Sequence, residues 1–166
     1  YRLERVLNSA DLVATARPDV AVAIRDLRAR LADGPPAPDA IVSLHGDVHA
    51  NNVLFQGDQV HMIDFDQGGS GAAAADIGSH LASLLSTQVI TPEAVADDLG
   101  AAFLDGYRTV RKLPSNAELR WYTTAAFVAE RAIRAVNRVN RPTLAVLPQL
   151  LDIAEAVFDG RRSVDG

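Results

Sequence analysis

Cysteine is absent from the 166 residues, which removes disulfides and thiolate zinc sites together and fits a reducing, cytoplasmic setting. Methionine and tryptophan occur once each, as Met62 and Trp121, and the one lysine is Lys112. No apolar run approaches the roughly 18 residues that a membrane-spanning helix needs, and the first residues carry no signal-peptide pattern. A soluble protein without a membrane partner is therefore expected. Tyr1 opens inside a helical pattern with no initiating Met before it, so the chain reads as a fragment. A basic surplus is missing too: the formal charge is −5, whereas a nucleic-acid partner calls for basic patches. Arg131, Arg134 and Arg138 do gather, but Glu130 stands i,i+4 from Arg134, so this group reads as a solvated helix face.

What is present is enough apolar residue, 48% against 22% charged, to bury one core. Leu3, Val6, Leu7 and Ala10 predict a helix to residue 16, stopped by Pro18. Val20, Ile24, Leu27 and Leu31 make a second over 19–32, ended by Gly34 and the prolines after it. Ala72 to Ser86 should be a helix with Ile77, Leu81 and Leu84 inward. Thr91-Pro92 reads as a helix start, with Val95, Leu99, Ala102, Phe103 and Val110 as its stripe. Ser115-Asn116-Ala117-Glu118 is a capping box, followed by Leu119, Tyr122, Ala126, Ala129, Ile133 and Val136 on one face. A last helix runs to about Phe158 and starts or kinks at Pro148. No internal repeat or low-complexity tract is visible. The class is α+β, mainly helical, with two or three short strands.

Ile41 to Asp76 departs from this helical pattern. Val53-Leu54-Phe55, a turn at Gln56-Gly57-Asp58, then Val60, Met62 and Ile63 read as a β-hairpin that delivers Asp64 and Phe65 to its end. Upstream, Asn52 stands five positions after Asp47. Asp47, Asn52 and Asp64 can thereby converge. Gln67-Gly68-Gly69-Ser70-Gly71 carries too little side chain for a regular element and reads as a flexible loop beside them. An Asp, an Asn at plus five and a second Asp closing the next hairpin is the spacing of phosphotransfer loops, in which a carboxylate meets the attacking hydroxyl and hard oxygens hold the ions on the nucleotide phosphates. Mg²⁺ prefers such ligands.

His45-Gly46-Asp47-Val48-His49-Ala50-Asn51-Asn52, with Ile63-Asp64-Phe65-Asp66, resembles the aminoglycoside phosphotransferase and choline kinase superfamily, small-molecule relatives of the protein kinases. Here Gly46 replaces the Arg of H-R-D and Asp66 the Gly of D-F-G. The resemblance extends over essentially the whole chain, although only Leu44 to Asp76 is motif-specific. It implies the C-terminal lobe of a kinase-like fold with its short hairpin at the catalytic site, and an N-terminal nucleotide-binding lobe that this chain lacks. It implies ATP or GTP and Mg²⁺ as cofactors, and the hydroxyl of an antibiotic, amino-alcohol or sugar as acceptor. Asp47 would orient or deprotonate that hydroxyl, while Asn52 and Asp64 hold the metal and, through it, the nucleotide. His45 packs beneath the loop, His49 braces it or faces the substrate, and Asp76 accepts backbone N–H bonds from it. The family's preceding carboxylate is replaced by Ala72.

Asp66 reads either as a second-ion or substrate contact or as a helix cap, and His61 and His80 as surface or satisfied residues. Trp121 and Tyr122 read as core and rim aromatics. Asp97, Asp98 and Asp105 would suit an amine acceptor but read first as a solvated face. Two other functions compete. Asp47-Val48-His49 also opens binuclear metallophosphoesterases, but the later ligands of such a site do not arrive. A non-catalytic, kinase-derived binding module is the other alternative, against which the intact triad argues. The fragment alone is expected to show little activity, and its full-length parent to be active.

Overall fold

In a computed structural model that describes residues 3–92 and 98–164, the apolar stripes of the sequence become the buried faces of packed helices. Helix α1 (Leu3–Ala16) buries Val6, Ala10 and Val13. Pro18 then opens a 3₁₀ turn, Pro18–Val20, which runs into α2 (Ala21–Leu31) with Ile24, Leu27 and Leu31 inside. Gly34 takes the left-handed φ of +83° beyond its end, a conformation that glycine reaches without a Cβ penalty.

Strand β1 (Ile41–Leu44) pairs antiparallel with β4 (Gly69–Ala72), in register from Ile41 against Ala72 to Leu44 against Gly69. Between them β2 (Val53–Gln56) and β3 (Gln59–Met62) form the expected hairpin, Val53 opposite Met62. The strand β4 corrects the flexible loop expected over 67–71. A backbone ladder needs no side chains, and the bare glycines let the strand come close: a Cβ on Gly71 would lie 2.8 Å from Leu44 Cδ1.

Helix α3 (Ala73–Ile90) is the floor of the site. It buries Ile77, Leu81 and Leu85, leaving Leu84 only half-buried, contrary to the expected stripe. It lies tight against α5 (Asn116–Ala126), since a Cβ on Gly78 would come within 2.7 Å of the Thr123 nitrogen. Ser115 caps α5 as read: its Oγ accepts from the Glu118 N–H, and the Glu118 carboxylate accepts from the Ser115 N–H. Trp121 and Tyr122 are both buried. Helix α5 continues through a π turn (Phe127–Ala132) into α6 (Ile133–Asn137), and then α7 (Arg141–Ala145) and α8 (Leu147–Asp159) complete the core. Pro148 sits in the first turn of α8 and so starts it rather than kinking it, and Gly160 closes it at φ +69°.

Helix α4 (Leu99–Arg108) packs through Leu104 and Phe103, while Leu99 is exposed and Val110, beyond the helix end, is 79% exposed. Neither takes the inward place that the apolar stripe predicts. Val95 and Asp97 lie outside the described residues. Among the described residues no helix is long and apolar enough to cross a membrane.

His80 on α3 is neither a surface residue nor a satisfied one, which corrects its reading. Its ring stacks on Phe103 at 4.4 Å between centroids, and its buried Nδ1 has no hydrogen-bond partner. Burial, with the charge of His49 as the smaller cause, holds the imidazole below its ordinary range. The unfolded chain therefore takes up a proton near the ordinary value of about 6.5 while the folded one resists it. Stability is unaffected above that pH and is lost as pH falls below it. His80→Leu is expected to flatten the fall in melting temperature between about pH 7 and 5; equal slopes for the two proteins would contradict this.

Candidate active site

Two crossings of the chain build the site. The first leaves β1 at Leu44 and enters His45, Gly46 and Asp47. The second leaves β3 at Met62 and enters Ile63, Asp64 and Phe65. His45 ties them together: its buried ring lies 4.5 Å from the Phe65 ring, and Nε2 is 2.8 Å from the Ile63 carbonyl oxygen. Nδ1 lies 3.4 Å from the Asp47 nitrogen, so the consistent tautomer is neutral, with the proton on Nε2 donated to Ile63. The residue expected to be structural sits beneath the loop as a two-ended strut.

Asp76, near the start of α3, accepts the His45 N–H at 2.6 Å on one carboxylate oxygen and the Gly46 N–H at 2.9 Å on the other. Charge-assisted bonds of this kind are about twice as strong as neutral ones. Gly46 itself stands at φ +84°, and a Cβ there would fall 2.2 Å from the Gln67 carbonyl oxygen. The departure from H-R-D thus has a steric cause: the turn through Gln67, just before β4, occupies the space of any side chain at position 46. Asp76→Ala is expected to cost about 2 kcal/mol or more of stability and to lower kcat, because two N–H donors lose a charged acceptor. Asp76→Asn, which keeps one acceptor oxygen, should lose less by thermal denaturation. Equal losses would remove the strut role.

Asn52 closes the cluster from the third side. It is 6% exposed, at the end of the 3₁₀ turn Ala50–Asn52; its Nδ2 donates to the Asp47 carbonyl oxygen at 3.0 Å, and its own carbonyl accepts the Ile63 N–H at 3.1 Å. Asn52 is therefore bonded to Asp47 on one side and to the residue before Asp64 on the other. With Nδ2 engaged, the amide oxygen Oδ1 is its remaining ligand atom.

Asp64 is exposed, at φ +65°, and its carboxylate makes no hydrogen bond or ion pair among the described residues. A non-glycine residue in the left-handed region is uncommon, though Asp tolerates it, and such outliers gather at functional sites. The donor set is one amide and one carboxylate oxygen, both hard. It suits Mg²⁺, which binds through one or two carboxylates and takes its other ligands from water and phosphate. Among the described residues no three His, Cys, Asp or Glu side chains gather as a cation cage, which a binuclear phosphoesterase would require.

Asp47 is the most crowded member. Its side chain is 15% exposed; Oδ1 accepts from an Arg134 guanidinium nitrogen at 3.2 Å, and Oδ2 lies 3.6 Å from His49 Nε2. His49 thus faces the carboxylate rather than solvent. Asp66 lies in the turn that the Gly68 N–H closes on the Phe65 carbonyl at 2.8 Å, well before α3 begins, so it caps no helix. His61 is exposed on β3.

Arg134 is a site residue that sequence reasoning misses. Arg138 is exposed as read, but Arg131 and Arg134 are not on a solvated face: Glu130 is 4% exposed, accepts from Ser79 Oγ at 2.8 Å and pairs with Arg131 at 2.8 Å, while Arg134 reaches Asp47. Glu130 lies within the π turn and Arg134 just beyond it, beside the buried stripe of Ala126, Ala129 and Ile133. Gly46, Asp76, Glu130, Arg134 and Tyr122 help to line a cavity of about 580 Å³ beside the loop that carries Asp47.

A family model described as the phosphotransferase enzyme family matches residues 2–113. The match covers both crossings of the candidate site and ends before α5, so it is shorter than the whole-chain resemblance expected. Comparison with curated proteins and with solved structures returns no match.

Proposed function

The chain belongs to the phosphotransferase enzyme family, and from that premise we propose that it carries the catalytic and acceptor-binding lobe of a small-molecule kinase, moving the γ-phosphoryl group of ATP or GTP to an alcohol. The observation that carries this reading is the bonded network from Asp47 through Asn52 to Ile63, the residue before Asp64. In it, Asn52 Oδ1 and the Asp64 carboxylate would hold Mg²⁺, which when bound neutralises charge on the nucleotide phosphates. Asp47 takes the hydroxyl of the acceptor by hydrogen bond, orients it and receives its proton as the oxygen attacks phosphorus. The two loop crossings, pinned by His45 and Asp76, keep that oxygen in place, and placement is most of what a loose phosphoryl transition state asks of a protein.

The phosphate-pairing lysine of such enzymes has no counterpart here. Lys112, the one lysine, is exposed and lies 3.8 Å from Asp39, away from the cluster. We place that lysine on a nucleotide-covering lobe outside these residues. The hairpin, whose Leu54, Phe55 and Val60 are exposed, offers that lobe an apolar seat. An ATP- and Mg²⁺-dependent enzyme of this kind belongs in the cytoplasm. The test is transfer of labelled γ-phosphate from Mg·ATP or Mg·GTP to a panel of alcohols by the full-length protein. Label should appear in an acceptor and depend on the metal; hydrolysis of a phosphodiester without nucleotide would overturn the reading.

A further inference from the structure

Arginines gather beside Asp47, which Arg134 touches. A second cavity, of about 190 Å³, adjoins the first and shares Glu130 and Arg134 with it; Arg131, Arg138 and the hydroxyl residues Ser83 and Thr87 also line it. Three guanidinium groups thus face one carboxylate. Glu130 is already paired with Arg131, and Arg134 reaches out of this cavity to Asp47. Arg138 is exposed and makes no ion pair among the described residues. Arg131 Nε is buried without a hydrogen-bond partner, and its NH1 reaches Ser83 Oγ only at 3.4 Å. The cavity therefore keeps donors and positive charge in excess of its own acceptors.

Size divides the labour between the two spaces. Ligand pockets commonly measure about 300–1,000 Å³; the larger cavity meets that and the smaller does not. The smaller suits one charged group of a larger ligand, or a small free anion. Neither Asn52 nor Asp64 lines it, so it stands apart from the metal ligands and hence from the nucleotide phosphates. Arg134 is part of the wall the two cavities share, and its guanidinium occupies Oδ1, one of the two Asp47 oxygens to which an incoming hydroxyl could donate.

We propose that the acceptor is an anionic alcohol, a hydroxy acid or an alcohol phosphate, whose body lies in the larger cavity and whose anionic group is held by Arg131, Arg134 and Arg138 in the smaller one. Arg134 holds Asp47 until the anion draws the guanidinium away and frees the carboxylate for the hydroxyl. This rests on the phosphotransfer reading and adds the charge of the substrate to it. Bidentate pairing with carboxylate or phosphate is what guanidinium groups do best.

The test has a binding arm and a turnover arm, both on the full-length protein. In the first, inorganic phosphate, glycerate and glycerol 3-phosphate are titrated without nucleotide by calorimetry, with glycerol and ethanolamine as neutral and cationic controls. The anions should bind and the controls should not. Arg138→Gln, an exposed position whose loss leaves the fold intact, should weaken anion binding by roughly tenfold, the loss of one charge-assisted contact. Arg134→Gln should weaken it further. In the second arm, anionic alcohols should show the higher kcat/KM, and Arg138→Gln should raise the acceptor KM while leaving the KM for ATP unchanged.

Equal kcat/KM for neutral, cationic and anionic alcohols would overturn the inference and leave phosphotransfer standing. A rise confined to the KM for ATP would assign the arginines to the nucleotide and overturn it as well. Arginine-dependent anion binding with no transfer to any alcohol would support the basic cavity and remove the phosphotransfer reading.

Discussion

Asp47→Ala is expected to lower kcat for phosphoryl transfer by at least about 10²-fold, the low end for a positioned base, with little loss of stability. The separation of the two effects comes from how the residue is held. Its N–H faces His45 Nδ1 and its carbonyl accepts from Asn52, so the backbone stays pinned when the carboxylate is removed. The loss is the acceptor for the substrate hydroxyl, together with the partner of Arg134. Asp47→Asn separates these further, because the amide keeps an oxygen for Arg134 but cannot take a proton. Both variants should melt close to the wild type and both should be nearly inactive. Turnover at the wild-type rate in either would take Asp47 out of its role.

Gly46→Ala should act in the opposite order, through the fold first. A Cβ at φ +84° costs about 1–2 kcal/mol from conformation alone. Here it would also meet the Gln67 carbonyl oxygen at 2.2 Å, which is backbone and cannot swing aside. We expect a loss of about 3 kcal/mol or more, a fall of about 6–12 °C in melting temperature for a domain of this size. Activity should fall as well, since the displaced segment lies between the two N–H groups that Asp76 holds and the Asp47 carboxylate. A variant as stable as the wild type would mean that Gln67 does not pass where it is placed.

The parts of the molecule legible from sequence are those in which local chemistry and tertiary structure agree. The hairpin announces itself through its glycine turn and flanking apolar residues, and α5 through a capping box that forms as written. The separation of Asp47 and Asn52 can be read because five positions reach around one 3₁₀ turn. Illegible features depend on partners far along the chain. Residues 67–71 look like a linker until β1 offers a ladder, and only the approach of Gln67 explains why position 46 carries glycine. Glu130 and Arg134 turn inward to Ser79 and Asp47, partners 51 and 87 positions away that their own helix does not reveal. His80 reads as ordinary because nothing in its neighbourhood of sequence shows the ring of Phe103 that buries it.

The central claim is most directly tested by Mn²⁺, which takes the same oxygen ligands as Mg²⁺, added to isotopically labelled full-length protein while amide signals are followed by NMR. Paramagnetic broadening should centre on Asn52 and Asp64, spread to Asp47 and disappear in Asp64→Asn, a substitution that retains tolerance of the left-handed backbone. Broadening centred elsewhere, or unchanged in that variant, would contradict the account.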